Sequence, residues 1–300
     1  MTFEIYLVLN FEFWSFEFVC DLEFGIWDFK MIINGKELSQ YIIRRLRKEF
    51  SNFREVNLAI IAVGNNPSVF SFIKQKKKTA DNLGVNLKVY RFQKSVSTRR
   101  LIQKIVELGK DKKIQGIILQ LPLPENINPD DVISFIPPEK DVDGFVEKSV
   151  NSPPSVEVVK FLMRRHNINY RGKKVVIVGY GRLVGKPIYN WLKKKNVKIF
   201  VIEKQTLLKE RRKIIESADI LISGVGKANL IPATWIKRNS IIIDFGYDFK
   251  NGKIYGDVSK NASKNALLFT PTPNGTGPIL VAMIFRNLLK CCKKQRFNIE

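Results

Sequence analysis

From residue 31 onward, the chain alternates between stretches with helical spacing of apolar residues and short, almost continuously apolar runs. Residues 37–50 repeat their apolar positions every three to four residues, as an amphipathic helix does, whereas the β-branched run 56–63 ends at Gly64. The alternation continues through a helix over 71–84, a strand over 85–92, a helix over 97–109 and a strand over 116–119 that enters a proline-stiffened loop. Apolar strands separated by helices predict an α/β fold with a parallel sheet covered on both faces.

A second α/β series follows the stretch FVEKSVNSPPS, residues 145–155, which we interpret as a linker or hinge. Strands over 173–179, 198–203, 219–226 and 240–246 alternate with helices that run through 191–195 and 213–218. The run 267–273 then leads into a Gly/Pro loop and a final helix. We therefore predict two α/β domains with a cleft between them, one over 31–150 that a C-terminal helix over 276–290 completes, and one over 151–275.

The first 30 residues differ from the rest in composition. They hold ten of the 33 aromatic residues and six acids against one base, Lys30. The segment has no basic region at its start and carries acids through its apolar stretch, so neither a signal peptide nor a membrane span is expected. Because Met31 is followed by a sequence typical of a chain start, we expect residues 1–30 to be an artefact of start-site choice.

Composition narrows the chemistry further. Hydrophobic residues at 45% and charged residues at 26% are typical of an ordinary soluble globular protein. Cys20, Cys291 and Cys292 form no CxxC pair or disulfide framework, which suits a reducing cytoplasm. His166 is the only histidine, so neither a zinc site nor a histidine-based triad is expected. The formal charge of +23 favours polyanionic partners, but the basic residues are spread over helix-like stretches, so a solvated surface is preferred and nucleic acid is not expected as a partner.

The clearest local motif is a glycine-rich turn between a strand and a helix. Gly179, Gly181 and Gly185 follow the apolar run 173–178, in a close variant of the dinucleotide-binding fingerprint. A second strand ends in Glu203, about 20 residues after the turn, where an acid accepts hydrogen bonds from the adenosine ribose. The alternative is a packing turn with an incidental glutamate. An acid there repels a 2′-phosphate, so the residues favour NAD over NADP, although two basic neighbours, Arg182 and Lys204, weaken that inference.

Two further stretches have unusual residues at loops. In QLPLP, Pro122 and Pro124 fix the path of the backbone after the strand and aim Gln120 in a defined direction. In KDVDG, Asp141 and Asp143 stand two residues apart at a turn. The later ligands of a calcium loop are missing, so this motif alone indicates a turn rather than a metal site.

Taken in order, QLPLP, KDVDGF, GRLVGKP and TPTPNGTGP resemble the bifunctional methylenetetrahydrofolate dehydrogenase/methenyltetrahydrofolate cyclohydrolase family. The similarity covers residues 31–290 without a break. It implies a folate-binding catalytic domain followed by a Rossmann-like domain for NAD or NADP. It also implies oxidation of 5,10-methylenetetrahydrofolate, hydrolysis of the product to 10-formyltetrahydrofolate, a role in one-carbon metabolism and purine biosynthesis, and a homodimer in the cytoplasm.

The resemblance also implies which residues form the site. Lys76 would carry the hydrolytic proton transfer, Gln120 would tune that lysine, and Asp143 would hold the pterin ring. The implied substrate-binding residues are Phe72, Leu121, Pro122, Pro271, Pro273 and Gly275. The implied cofactor-binding residues are Gly179, Tyr180, Gly181, Arg182, Gly185, Glu203, Lys204, Gly224 and Gly226.

Several positions depart from the family pattern. Phe72 replaces the family's tyrosine one helical turn before Lys76, so a hydroxyl is lost beside the predicted hydrolase lysine. Tyr180-Gly181 replaces an Arg-Ser pair, and Glu203-Lys204 replaces a His-Ser pair, which removes expected contacts to a 2′-phosphate. We therefore predict a preference for NAD.

Three alternatives remain open at this stage. The first is a dehydrogenase with weak or absent cyclohydrolase activity, motivated by Phe72. The second is another Rossmann oxidoreductase that acts on a small acid, which QLPLP and KDVDG disfavour. The third is a nucleic-acid-binding protein that reuses the fold, motivated only by the net charge of +23.

Overall fold

The computed structural model describes residues 30–297. The first half of this range forms β1 (Met31–Ile32), α1 (Gly35–Phe50), β2 (Asn57–Val63), α2 (Pro67–Leu83), β3 (Asn86–Phe92), α3 (Thr98–Lys110), β4 (Gly116–Leu119) and α4 (Pro129–Ile133). The second half forms α5 (Pro154–Arg165), β5 (Lys174–Val178), α6 (Gly185–Leu192), β6 (Lys198–Ile202), α7 (Leu208–Glu216), β7 (Ile220–Ser223), β8 (Ser240–Asp244), β9 (Asp248–Lys250), β10 (Lys253–Tyr255), β11 (Ala266–Phe269) and α8 (Thr276–Phe297). The predicted start-site artefact concerns residues that lie outside the described range.

The first sheet has three parallel strands in the order β3-β2-β4. All seven residues of β2 are buried, because this strand lies in the middle of the sheet with helices on both faces. The helices begin where the sequence supplies an acceptor: the side chain of Asn34 caps α1 and that of Ser97 caps α3. Gly84, with φ at +70°, follows α2, as the sequence predicts.

The second sheet is also parallel and has the order β1-β11-β8-β7-β5-β6. β5, the strand that precedes the glycine-rich loop, is flanked by β6 on one side and β7 on the other. The connections therefore run in opposite directions from β5, and a crevice opens at the carboxyl ends of β5 and β7. In open α/β sheets this crevice is where ligands bind, so the topology directs attention to the loops after β5, β6 and β7.

The predicted α/β class is confirmed, but the strands β1, β9 and β10 and the helices α4 and α5 were not predicted. α5 begins at Pro154, inside the stretch predicted as a linker, and its residues 154–159 are all buried. α4 has only five residues. β1 pairs with β11 of the second sheet, far along the chain. Within residues 30–297, no helix is both long and apolar enough to cross a membrane.

The last helix packs away from the sheet that precedes it. α8 contacts α1, α5 and α2, and its residues Phe285 and Leu288 are fully buried there. α8 begins at Thr276, whose hydroxyl donates to the backbone oxygen of Asp244 at the end of β8. The start of α8 is thus tied to the second sheet while its length covers the first, so the loop before it crosses the cleft.

Candidate active site in the interdomain cleft

A cavity of about 450 Å³ lies between the two sheets. One wall comes from α2, from the segment after β4 and from the KDVDG turn. The other wall comes from the segment after β8 and from Leu183 and Val184 of the glycine-rich loop, and the loop 272–278 closes one side. Parts of the chain that are far apart in sequence therefore face one enclosed space, as expected of a ligand site.

The side chain of Lys76 lies on the α2 wall and is only 6% exposed. Its Nζ donates a 2.8 Å hydrogen bond to Oε1 of Gln120, and Nε2 of Gln120 donates to the backbone oxygen of Leu121. The Gln120 backbone is itself held by a bond to the oxygen of Ile61 on β2. Burial lowers the pKa of the Lys76 ammonium, and the negative charge of Asp143 opposes that shift.

The two acids of the KDVDG turn, Asp141 and Asp143, have different roles. The carboxylate of Asp141 accepts hydrogen bonds from the backbone N–H groups of Gly144 and Val146, at 2.9 and 2.8 Å, and so holds the turn together. Asp143 lines the cavity instead. Burial raises the pKa of Asp143 to about 6, with Lys76 acting against the rise and Asp141 adding to it. A buried amine and a half-buried carboxyl with opposite pKa shifts in one cavity are typical of functional sites.

The residues predicted to bind substrate are distributed around this cavity. Phe72, Leu121, Pro273 and Gly275 line it, and Phe72 lies one helical turn from Lys76 on α2. Pro122 and Pro271 are outside the lining formed by the described residues. A Cβ on Gly275 would lie 2.3 Å from the backbone oxygen of Pro271, so glycine is required for the close approach of these two segments.

The glycine-rich loop joins β5 to α6 as the sequence predicts. Gly179 has φ at +87°, and its N–H donates to the oxygen of Ile202 on β6. A Cβ on Gly185 would lie 1.9 Å from the oxygen of Gly179, so the first turn of α6 packs directly on the loop backbone. A Cβ on Gly181 would meet nothing within 4 Å. The space beside Gly181, at the N-terminus of α6, suits the backbone approach of a dinucleotide pyrophosphate.

The other residues predicted to bind the cofactor lie at the same edge of the sheet. Glu203 directly follows β6, Lys204 is exposed beside it, and the N–H of Gly224 donates to the oxygen of Val178 on β5. Gly226, with φ at +76°, lies close to the backbone of Tyr247. The ring of Tyr180 packs edge-on against that of Tyr189 on α6, with centroids 5.5 Å apart.

Arg182 has a partner that the sequence did not indicate. Its guanidinium forms a bidentate ion pair with Asp130 at the start of α4, with an Nη2–Oδ2 distance of 2.7 Å. The pair lies partly in solvent and joins the glycine-rich loop to the other wall of the cleft. The hydrogen bond between them lowers the pKa of Asp130 and raises the pKa of Arg182. Arg182 is thus paired with a residue from the first half of the chain.

The sequence analysis missed a pair of buried carboxylates beneath the second wall. Asp257 accepts hydrogen bonds from the Ser223 hydroxyl and from the N–H groups of Val225 and Lys227, each at 2.7 Å. Asp244 accepts from Gly246 and Val258. Burial, with Asp257 beside it, raises the pKa of Asp244 to about 7. The pair fixes the loops after β7 and β8.

Similarity to known proteins agrees with this arrangement. Residues 33–143 match the model of the tetrahydrofolate dehydrogenase/cyclohydrolase catalytic domain, and residues 153–296 match that of the NAD(P)-binding domain of the same family. The chain is 34% identical to the "Bifunctional protein FolD" of Aquifex aeolicus over 281 residues, which covers 88% of this chain and 96% of the relative.

Solved structures give the same result. The bifunctional FolD enzyme of Campylobacter jejuni superposes with a TM-score of 0.82 at 31% identity and covers 88% of this chain and 99% of its own. The FolD enzyme of Trypanosoma brucei, in complex with NADP and an inhibitor, superposes with a TM-score of 0.83 at 26% identity and covers 88% of this chain and 97% of its own. With both domain models matched in order, and with one cleft between two parallel sheets, the chain belongs to the tetrahydrofolate dehydrogenase/cyclohydrolase family.

Proposed function

We propose that this protein oxidises 5,10-methylenetetrahydrofolate with a nicotinamide dinucleotide and hydrolyses the resulting 5,10-methenyl cation to 10-formyltetrahydrofolate in the same cleft. One observation carries the proposal: the Lys76–Gln120 pair and Asp143 line the same cavity as the end of the dinucleotide loop, Leu183 and Val184. A substrate held against the first wall is therefore within reach of a nicotinamide ring that enters from the second.

In the first step, the protein has to orient the folate and the dinucleotide relative to each other. A nicotinamide dinucleotide, when bound, would supply the acceptor for the hydride that leaves the methylene carbon of the folate. The open space beside Gly181 and the N-terminus of α6 would hold the pyrophosphate, and Glu203 would accept hydrogen bonds from the ribose. Asp143 would bind the amino and ring N–H groups of the pterin and so fix the plane of the substrate. No protein acid or base is needed for the hydride transfer itself.

The second step needs a base. Water adds to the methenyl carbon, its proton passes to the neutral amine of Lys76, and the C–N5 bond of the adduct then breaks while the hydroxyl proton moves to N5. Burial lowers the pKa of Lys76, so the neutral amine is available closer to neutral pH than for a lysine in water. The hydrogen bond from Nζ to Gln120 fixes the direction of the remaining lone pair.

The same residues support a preference for NAD. The carboxylate of Glu203, directly after β6, repels a 2′-phosphate on the adenosine ribose, and Arg182 is already paired with Asp130. Of the other nearby cations, Lys204 is exposed, and the guanidinium of Arg211 donates to the backbone oxygens of Lys204 and Thr206. Steady-state kinetics with both dinucleotides measures this preference directly, and a higher kcat/KM with NADP than with NAD contradicts it.

Two assays test the function as a whole. Reduction of the dinucleotide in the presence of 5,10-methylenetetrahydrofolate follows the first step, and the loss of methenyl absorbance follows the second. Activity in both, suppressed together by a folate analogue that competes for the cleft, supports the proposal. Turnover with neither NAD nor NADP contradicts it. The implied homodimer stays a prediction, which light scattering on the purified protein checks.

A further inference from the structure

Tyr247 lies on the second wall of the cleft and faces the wall that carries Lys76. It follows β8 in the segment Phe245-Gly246-Tyr247 and lines the cavity together with Phe72 and Lys76. Its ring lies 5.1 Å from the ring of Phe72, measured between centroids, at an interplanar angle of 55°. Tyr247 is thus an aromatic residue of the second wall in direct contact with the residue one helical turn from Lys76.

The backbone before Tyr247 is held firmly. The N–H of Gly246 donates to Asp244 at 2.7 Å, and the Thr272 hydroxyl donates to the oxygen of Gly246 at 3.2 Å. A Cβ on Gly246 would lie 2.4 Å from backbone and side-chain atoms of Asp257, so this segment packs as closely as a glycine allows. The position of the Tyr247 ring is therefore set by the buried carboxylate pair rather than by a free loop.

The hydroxyl of Tyr247 makes no hydrogen bond with any group in residues 30–297, and the side chain is only partly exposed. On the wall of a ligand cavity, the available partners are the ligand and the waters it admits. Among the other hydroxyls of the cavity, Thr272 bonds to Gly246 and Thr276 bonds to Asp244, whereas the hydroxyl of Ser155 on α5 is buried and has no partner among the described residues.

The hydrolytic step has a use for such a group. The attacking water must be held between the methenyl carbon and the Lys76 amine, and Phe72 offers no hydroxyl for this purpose. We propose that Tyr247 supplies, from the dinucleotide-binding domain, the hydroxyl that orients the attacking water beside Lys76. This inference rests on the proposed hydrolase function. It adds a catalytic residue on the opposite wall, and it makes hydrolysis depend on the contact between the two walls at Phe72 and Tyr247.

The proton balance of the step is unchanged by Tyr247. The water oxygen forms the bond to carbon, one water proton passes to Lys76, and the phenol keeps its proton while it accepts or donates a hydrogen bond to that water. Removal of the hydroxyl should therefore lower kcat for hydrolysis without altering the hydride transfer. The loss expected for one positioning hydrogen bond to a transition state is about tenfold or more.

The test is a hydroxyl exchange between the two contacting rings. Tyr247→Phe keeps the ring and is expected to slow methenyl hydrolysis at least about tenfold while the dehydrogenase kcat stays within about twofold. The double variant Phe72→Tyr/Tyr247→Phe returns a hydroxyl to the same cavity from α2 and is expected to recover most of the hydrolysis. Tyr90→Phe, on β3 outside the cavity lining, is the matched control and should leave both rates unchanged.

If the rate of methenyl hydrolysis by Tyr247→Phe stays within about twofold of the wild-type rate, this inference is overturned and the proposed function stands. An equal loss of both activities in Tyr247→Phe, or no recovery in a folded double variant, assigns the residue a packing role and also overturns it. A wild-type protein that oxidises methylenetetrahydrofolate but hydrolyses no methenyl product overturns both the hydrolase half of the proposed function and the role of Tyr247.

Discussion

Replacement of Lys76 separates the two proposed activities most sharply. In Lys76→Ala, the base of the hydrolytic step is lost, whereas the hydride transfer uses no group from this side chain. The neutral amine is held by Gln120 at 2.8 Å, and burial keeps its pKa below that of a free lysine. Positioned proton transfer contributes about 100- to 10,000-fold to a rate, so kcat for methenyl hydrolysis should fall by about that factor.

The dehydrogenase rate has a physical reason to survive. Oxidation of the methylene bridge creates a cation in the cleft, and a protonated Lys76 would repel it. Removal of the side chain therefore takes away no favourable contact to the developing charge. We expect the dehydrogenase kcat to stay within about fivefold of wild type, with the difference set by how well Gln120 and Asp143 keep their positions.

The assay follows both steps on the same preparation, by dinucleotide reduction and by the decay of methenyl absorbance. In the wild type, hydrolysis should increase as the pH rises through the lowered pKa of Lys76, because only the neutral amine accepts the proton, and this rise should be absent in the variant. Lys78→Ala, an exposed lysine on the same helix, is the matched control. Lys76→Met retains the apolar stem and guards against a packing defect.

One result would refute the reasoning. If folded Lys76→Met loses both activities to the same extent, the lysine supports the structure of the cleft rather than the hydrolytic proton transfer. Circular dichroism and a thermal unfolding curve establish that the variant is folded before the rates are compared.

Three further predictions follow from particular contacts. Asp143→Asn should weaken folate binding yet stabilise the fold. The pKa of the Asp143 carboxyl is raised from 3.8 to about 6, so the stability that the protonated carboxyl contributes is present below pH 3.8 and is lost as the pH rises through about 6. Urea unfolding should then show the variant up to about 3 kcal/mol more stable than wild type at pH 7 and equal to it near pH 3.5, and a pH-independent difference contradicts this. Glu203→Ser should raise kcat/KM with NADP relative to NAD, since a repelling charge is removed; an unchanged ratio in parallel kinetics would mean that Glu203 does not face the ribose. Gly185→Ala should raise KM for the dinucleotide and lower the unfolding temperature, because its Cβ would lie 1.9 Å from a backbone oxygen. Gly181→Ala, with open space around it, should fold normally. Equal unfolding temperatures for the two variants would contradict the packing argument.

The limits of the sequence are clearest at α5 and Tyr247. α5 begins at Pro154 in a stretch rich in serine and proline, which is typical of a linker, although proline is also favoured in the first turn of a helix. Tyr247 drew no attention because its meaning depends on the ring of Phe72, which lies 175 positions earlier in the chain and on the other wall. The role of Tyr247 has no local signal, because it is created by contacts between distant segments.

By itself, the sequence determined the α/β class, the alternation of strands and helices, and the glycine-rich loop between β5 and α6. These features rest on periodicity and on the backbone freedom of glycine, which act within a few residues. The tertiary structure decided which of the similar lysines in KQKKK is buried: the family resemblance singles out Lys76, but its burial comes from the cavity and from Gln120, which lies 44 residues away. It also decided that Arg182 pairs with Asp130 and that Phe72 meets Tyr247, since contact between side chains of two domains is fixed only when their sheets are packed around one cleft.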